Sequence, residues 1–146
     1  MDSRIEVLMI EDNRGDVVLV REAMATVGLN HRLTVVPDGV EAMRYLNRDG
    51  EHAGATRPAL IILDLNLPRK SGLDVLDEIQ LDPSLRDIPV FLLSSSLSEL
   101  DKARSRGLPP QGQKPKPSTF AGYIEMVMAI EAYRQAAAGG AKGGSS

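Results

Sequence analysis

Glu11 and Asp12 directly follow an apolar run, Ile5-Glu6-Val7-Leu8-Met9-Ile10, and Asp64 directly follows another, Leu60-Ile61-Ile62-Leu63. A carboxylate at the end of a buried strand needs a cation to meet it. Two strands ending this way describe one site that gathers negative charge at one edge of a sheet. Two carboxylates about 4 Å apart repel by roughly 4 kcal/mol at an effective dielectric of about 20. A third makes an empty site costly or forces one pKa upward. Mg2+ relieves such crowding, because it takes oxygen ligands, commonly one or two carboxylates with water and phosphate oxygens. The site then suits a phosphoryl group. A carboxylate can itself attack phosphorus and form an acyl phosphate, and a nearby hydroxyl and lysine would hold the phosphoryl oxygens.

The elements that must position these residues alternate in kind. Ile5 to Ile10 reads as a buried strand, and residues 17–27 follow with helical spacing that Gly28 ends. Residues 33–36 are short and β-branched, hence a strand. Val40, Met43, Tyr45 and Leu46 fit a short helix starting near Gly39, and residues 47–58 read as a polar loop. Residues 60–63 form a third strand. Leu73, Leu76 and Ile79 lie on a helix that stops before Pro83, residues 90–93 form a fourth strand ahead of Ser94, and residues 97–106 suggest a polar helix. Pro109, Pro110, Pro115 and Pro117 then interrupt the pattern, so a weak fifth strand near residues 111–115 is confined to an edge. From Phe120 onward, Tyr123, Ile124, Val127, Ile130 and Tyr133 recur at helical spacing. The Ala/Gly/Ser-rich residues 136–146 are expected to form a flexible tail, leaving residues 1–135 as the domain.

This alternation predicts an α/β fold, a doubly wound parallel sheet with helices on both faces. Sites in such sheets form at the carboxyl ends of strands. Glu11, Asp12, Asp64 and Ser94 all fall there, and they converge if the first, third and fourth strands are neighbours.

The 146 residues suffice for one domain with a real core, and the 42% apolar and 25% charged content is ordinary for a globular protein. A net charge of −3 argues against sequence-independent nucleic-acid binding, which needs a basic face. Cysteine is absent, which excludes disulfides, thiolate catalysis and Cys-based zinc sites. Asp2 and Glu6 interrupt any signal-peptide pattern, and no apolar run approaches membrane-spanning length, so a cytoplasmic location and no membrane partner are expected. His31 and His52 lack metal spacing. Arg69 and Lys70 read as surface charge near the site mouth, and Met24, Met43, Met126 and Met128 as packing residues.

Four segments occur in a telling order: Val7-Leu8-Met9-Ile10-Glu11-Asp12-Asn13, Leu63-Asp64-Leu65-Asn66-Leu67-Pro68-Arg69-Lys70-Ser71-Gly72, Ile88-Pro89-Val90-Phe91-Leu92-Leu93-Ser94, and Lys116-Pro117. Each is weak alone. Together, the chain resembles the receiver domain of two-component response regulators over about residues 5–134. The second segment and Gly15-Asp16 most resemble the single-domain regulators paired with bacterial phytochromes. The resemblance implies a flavodoxin-like, five-stranded sheet in the order 2-1-3-4-5. It implies that Asp64 is the phosphoacceptor. Asp12 and Asp64 would ligate Mg2+, with the Asn66 backbone carbonyl as a third ligand and Glu11 acting through water. Ser94 would hydrogen-bond the phosphoryl group, and Lys116 would pair with one of its oxygens. Lys114-Pro115 is the competing assignment, but the family's usual distance from its hydroxyl residue, matched from Ser94, implies Lys116. The residue pattern departs from the family at Gln113, which stands where a switch aromatic is usual, and at Lys114, which stands where an apolar strand residue is usual.

The implied donor is a histidine kinase of the phytochrome type, and the implied role is a signalling switch rather than a metabolic enzyme. A homodimer through the last strand and helix would use Tyr123, Ile130 and Tyr133; the alternative is that these residues pack on the sheet. Two other functions compete. A degenerate receiver acting as a phosphorylation-independent binding module is motivated by Gln113 and the weak fifth strand. An aspartyl-phosphate hydrolase would need a second Asp two residues after the nucleophile, where this chain has Asn66. A nucleotide-binding fold fits poorly, since Glu11-Asp12-Asn13-Arg14-Gly15 is no Gly-rich loop.

Overall fold

The structure, a computed structural model, describes residues 3–144, with side chains described for residues 3–139. Five strands, β1 (Ile5–Ile10), β2 (His31–Val36), β3 (Leu60–Asp64), β4 (Val90–Ser94) and β5 (Gln113–Pro115), pair in parallel in the order β2-β1-β3-β4-β5. Between them run α1 (Arg14–Val27), α2 (Gly39–Leu46), α3 (Gly72–Leu81) and α4 (Leu97–Arg104), and α5 (Phe120–Gly144) closes the chain. Short 3-10 turns occupy Gly50–His52 and Pro110–Gly112.

The central strands are apolar on both sides because helices cover both faces. Alternate residues separate into two cores, as the two-residue strand period requires. Leu8, Ile10, Ile61, Leu63 and Leu92 face Leu76, Ile79 and Leu100 of α3 and α4. Val7, Met9, Ile62, Phe91 and Leu93 face Val20 and Met24 of α1 and Tyr123, Val127 and Ile130 of α5. Fully burying each aliphatic side chain contributes about 1.5–3 kcal/mol, so these layers hold the strand ends in register.

Local signals explain the boundaries. The Asn13 side chain accepts the Asp16 amide, so α1 starts at Arg14, a turn earlier than its apolar spacing suggests. Gly28 ends α1 in the left-handed conformation at φ 82°. The Thr119 hydroxyl accepts the Gly122 amide at 3.0 Å at the start of α5. Gly72 starts α3 against the end of β3. A Cβ there would lie 2.5 Å from the Asp64 carbonyl oxygen and from Leu65 Cα, so only glycine permits the approach.

β5 forms as the weak edge strand expected, three residues beside β4, with its proline at the last position where a missing donor does least harm. One expectation changes. The residues expected as a flexible tail from 136 are instead helical through Gly144, because Ala136, Ala137 and Ala138 continue α5 with the strongest helix former. Residues 145–146 of that expected tail lie outside the described residues. Met24 and Met126 are core residues, whereas Met128 is 56% exposed.

β2 is tied to α5 by Glu131. Its carboxylate accepts from Arg134 Nε at 2.8 Å and Nη2 at 2.9 Å, and it lies 3.0 Å from Nε2 of the buried His31. The Arg134 hydrogen bonds outweigh partial burial and hold the Glu131 carboxyl down at about 2, below the usual 4.5. A depressed carboxyl contributes stability that is present above the unfolded value and lost as pH falls toward the folded one. Glu131→Gln is therefore expected to lower the urea midpoint near neutrality and to flatten its fall between pH 4.5 and about 2. Equal acid limbs in the two proteins would contradict this.

Candidate functional site

The carboxyl ends of β1, β3, β4 and β5 meet at one edge. β1 delivers Glu11 and Asp12; the Glu11 amide donates to the Val36 carbonyl at 3.0 Å, which keeps the residue inside the sheet edge. β3 ends on Asp64 itself. Glu11 and Asp64 are each 2% exposed, whereas Asp12 faces solvent, and one oxygen from each of the three lies within 4.8 Å of the others. Asp64 Oδ1 accepts the Asn66 amide at 3.0 Å, which fixes the carboxylate relative to the following turn.

Lys116 answers this charge. β5 sets Lys116 just beyond its end, where the Lys116 amide donates to the Ser94 carbonyl at 2.9 Å. Its ammonium lies 3.0 Å from Asp64 Oδ2, 2.8 Å from Asp16 Oδ2 and 3.0 Å from Glu11 Oε1. Lys114 lies opposite Leu93 in the strand register and is exposed, whereas Lys116 reaches the carboxylates. The electrostatics follow. Burial alone would lower the Lys116 ammonium, but Asp16, Glu11 and Asp64 outweigh it and hold it well above the ordinary lysine value. Burial, and then Asp64 beside it, pushes the Glu11 carboxyl up to about 8 against the opposing effect of Lys116. Glu11 Oε1 is at ion-pair distance from Lys116 but has no hydrogen-bond partner.

Ser94 is fully buried at the end of β4, and its hydroxyl accepts the Ser96 amide at 3.0 Å. Ser96 in turn caps α4. Gln113 is buried, and its surroundings explain how a polar residue is tolerated. With its amide oxygen toward Arg104, it accepts from Nε at 2.8 Å and Nη2 at 3.2 Å and donates to the Leu100 carbonyl at 3.1 Å. The position thus clamps β5 to α4.

Tyr123 and Ile130, expected on a dimer face, are corrected by the structure. They are 4% and 0% exposed and belong to the core between α5 and the sheet, because seven residues along a helix return to the same face. Tyr133 is partly buried with its ring edge-on to Phe91 at 5.9 Å. Two residues escaped the sequence reading of the site. Asp16 adds a fourth carboxylate, and the Tyr123 hydroxyl donates to its other oxygen at 3.2 Å. Burial, with Asp16 beside it, pushes that hydroxyl up to about 12, so it remains a donor at neutral pH. The signal for Asp16 was its place in the first turn of the helix that follows Asp12; nothing local pointed to Tyr123.

The family model of the response regulator receiver domain matches residues 7–119. The chain belongs to that family. As a receiver domain, it is 39% identical over 127 residues to Response regulator Rcp1 of Synechocystis sp., covering 87% of this chain and 86% of the relative. The phosphorylated cyanobacterial phytochrome response regulator RcpA superposes with a TM-score of 0.81 at 41% identity, covering 91% of this chain and 95% of that one. The bacteriophytochrome response regulator AtBRR follows with a TM-score of 0.74 at 34% identity, covering 88% and 94%. The chain is therefore a receiver-domain response regulator homologous to phytochrome-associated regulators, and the fold order expected for a receiver is the one found. Receiver domains bind a divalent metal, and Rcp1 has been crystallised in a Mn2+-bound form. Among the described residues no helix is long and apolar enough to cross a membrane.

Proposed function

We propose that Asp64 accepts a phosphoryl group from the phosphohistidine of a cytoplasmic, phytochrome-type histidine kinase, with Mg2+ bound beside it. The observation that carries this is the clustering of Glu11, Asp12 and Asp64 within 4.8 Å of one another, with the Lys116 ammonium 3.0 Å from Asp64. An Asp64 carboxylate oxygen attacks phosphorus, the phosphorus–nitrogen bond breaks, and the nitrogen leaves with the electron pair from a ring protonated at its other nitrogen, departing as a neutral imidazole. Lys116 pairs with a phosphoryl oxygen, and the Ser94 hydroxyl donates to another after leaving the Ser96 amide. Both hold charge where it develops.

The residues suit a hard divalent cation. All donors are oxygens, and the buried Glu11 Oε1 lacks a hydrogen-bond partner. Asp12, Asp64 and the Asn66 carbonyl would hold Mg2+, with Glu11 acting through water. Bound Mg2+ would neutralise the carboxylates and polarise the phosphoryl oxygens.

The full acid and lysine set favours a working phosphoacceptor over a degenerate binding module. Asn66 cannot serve as the general acid that a phosphatase would need two residues past its nucleophile. For a homodimer through the last strand and helix, the available contacts are the β5 edge and Tyr133, since Tyr123 and Ile130 are buried. Acetyl phosphate, a small phosphoryl donor, tests the chemistry without the kinase. With millimolar Mg2+ the intact mass is expected to rise by one phosphoryl group, and with EDTA it should not. Equal uptake in EDTA, or none in Mg2+, would sink this reading.

A further inference from the structure

The family's usual coupling residue is replaced here by Gln113, which is clamped between Arg104 and the Leu100 carbonyl. A signal still has to leave the site, and the hydrogen bonds around Lys116 offer another exit. The Lys116 ammonium donates to Asp16 at 2.8 Å and to Asp64 at 3.0 Å, and it lies at ion-pair distance, 3.0 Å, from Glu11. A phosphoryl group on Asp64 brings new oxygens carrying about −1.5 to −2 charge. An ammonium that turns toward those oxygens shifts against the bonds it already makes to Asp16 and Asp64. Asp16 is the partner that loses least on release. Its side chain is 21% exposed and can be hydrated, whereas those of Glu11 and Asp64 are 0% and 3% exposed.

Asp16 does not stand alone at the other end. Its Oδ1 accepts from Tyr123, which is 4% exposed in the core that joins α1, the sheet and α5. A released Asp16 would face new phosphoryl charge with Tyr123 as its remaining side-chain donor. We propose that Asp16 is a positioning residue that holds Lys116 before phosphorylation and, when Lys116 turns to the phosphoryl oxygens, transmits that turn to α5 through the Tyr123 hydroxyl. The route runs along the α1–α5 face and bypasses Gln113. It rests on the reading of Asp64 and Lys116 given above.

The test follows Tyr123 directly. The full chain is labelled with 3-fluorotyrosine, and the 19F signal of Tyr123 is assigned as the one missing in Tyr123→Phe. Spectra are recorded with Mg2+ before and after acetyl phosphate, and intact mass gives the phosphorylated fraction, from which alone the response is read. In the wild type the Tyr123 signal is expected to shift with that fraction. In Asp16→Asn, and independently in Asp16→Ser, the resting signal should already differ and the phosphorylation-dependent shift should be lost. A purely structural Asp16 would alter the resting signal yet leave the response intact, which would overturn the proposal. So would an unmoved Tyr123 signal in phosphorylated wild type. Failure of the wild type to gain a phosphoryl group would overturn the site reading itself, a result distinguishable by mass.

Discussion

Asp64→Asn is expected to take up phosphoryl groups at less than about a thousandth of the wild-type rate, because the amide is no nucleophile at phosphorus. The substitution is close to isosteric, and the Asn carbonyl can still accept the Asn66 amide that now binds Asp64 Oδ1 at 3.0 Å. The fold should therefore survive. Removing one of two adjacent buried carboxylates also relieves the repulsion that raises Glu11. The thermal midpoint should accordingly not fall. Loss of labelling with unchanged stability is the pattern that separates a phosphoacceptor from a structural acid. A structural Asp64 would give the reverse, a destabilised protein that still labels. Phosphoryl uptake from acetyl phosphate and a thermal melt, run on the same samples, decide between them.

Lys116→Ala should have the next largest effect, and it should depend on metal. Among the described residues, Lys116 is the one cation within 3.0 Å of both Glu11 and Asp64, whose side chains are 0% and 3% exposed. Breaking a fully buried ion pair costs about 3–5 kcal/mol; here the ammonium is partly exposed and Glu11 can take a proton, so about 2 kcal/mol is expected in metal-free buffer. Millimolar Mg2+ supplies the missing positive charge and should restore most of that loss. Labelling should remain about a hundredfold slower even in Mg2+, since the donor that meets the phosphoryl oxygen is gone. Urea unfolding with EDTA and with Mg2+ measures the first effect, and uptake kinetics measure the second. A stability loss indifferent to Mg2+ would show that Lys116 and the metal do not share the same carboxylates.

What could be read before the structure was the chemistry closest to the strands. Ile10 and Leu63 end continuous apolar runs, and a run of that kind is buried on both faces, so the acids beyond it had to meet at the sheet edge. Lys116 was legible through its spacing from Ser94, which the hydrogen bond from its amide to the Ser94 carbonyl accounts for. The strand itself was harder to read. Gln113, Lys114 and Pro115 have little β propensity, and their pairing comes from the partner groups that β4 presents rather than from their own side chains. The same limit hid the outer half of the site. Asp16 and Lys116 are 100 residues apart in the chain and Asp16 and Tyr123 are 107 apart, so their bonds arise only after α1 and α5 pack side by side on the sheet. Tyr123 and Ile130 could be placed on one helix face, but which side of α5 met the sheet is a packing outcome.

The central claim is that the phosphoryl group resides on Asp64 as an acyl phosphate, and hydride reduction tests it most directly. The wild-type protein is treated with acetyl phosphate and Mg2+, then with borohydride, which converts an aspartyl phosphate to homoserine while leaving unmodified carboxylates intact. Peptide mass spectrometry is expected to find homoserine at position 64 and nowhere else, in proportion to the phosphoryl group gained. Homoserine at position 12 or 16, or a phosphoryl group that survives reduction on a hydroxyl such as Ser94, would contradict the account.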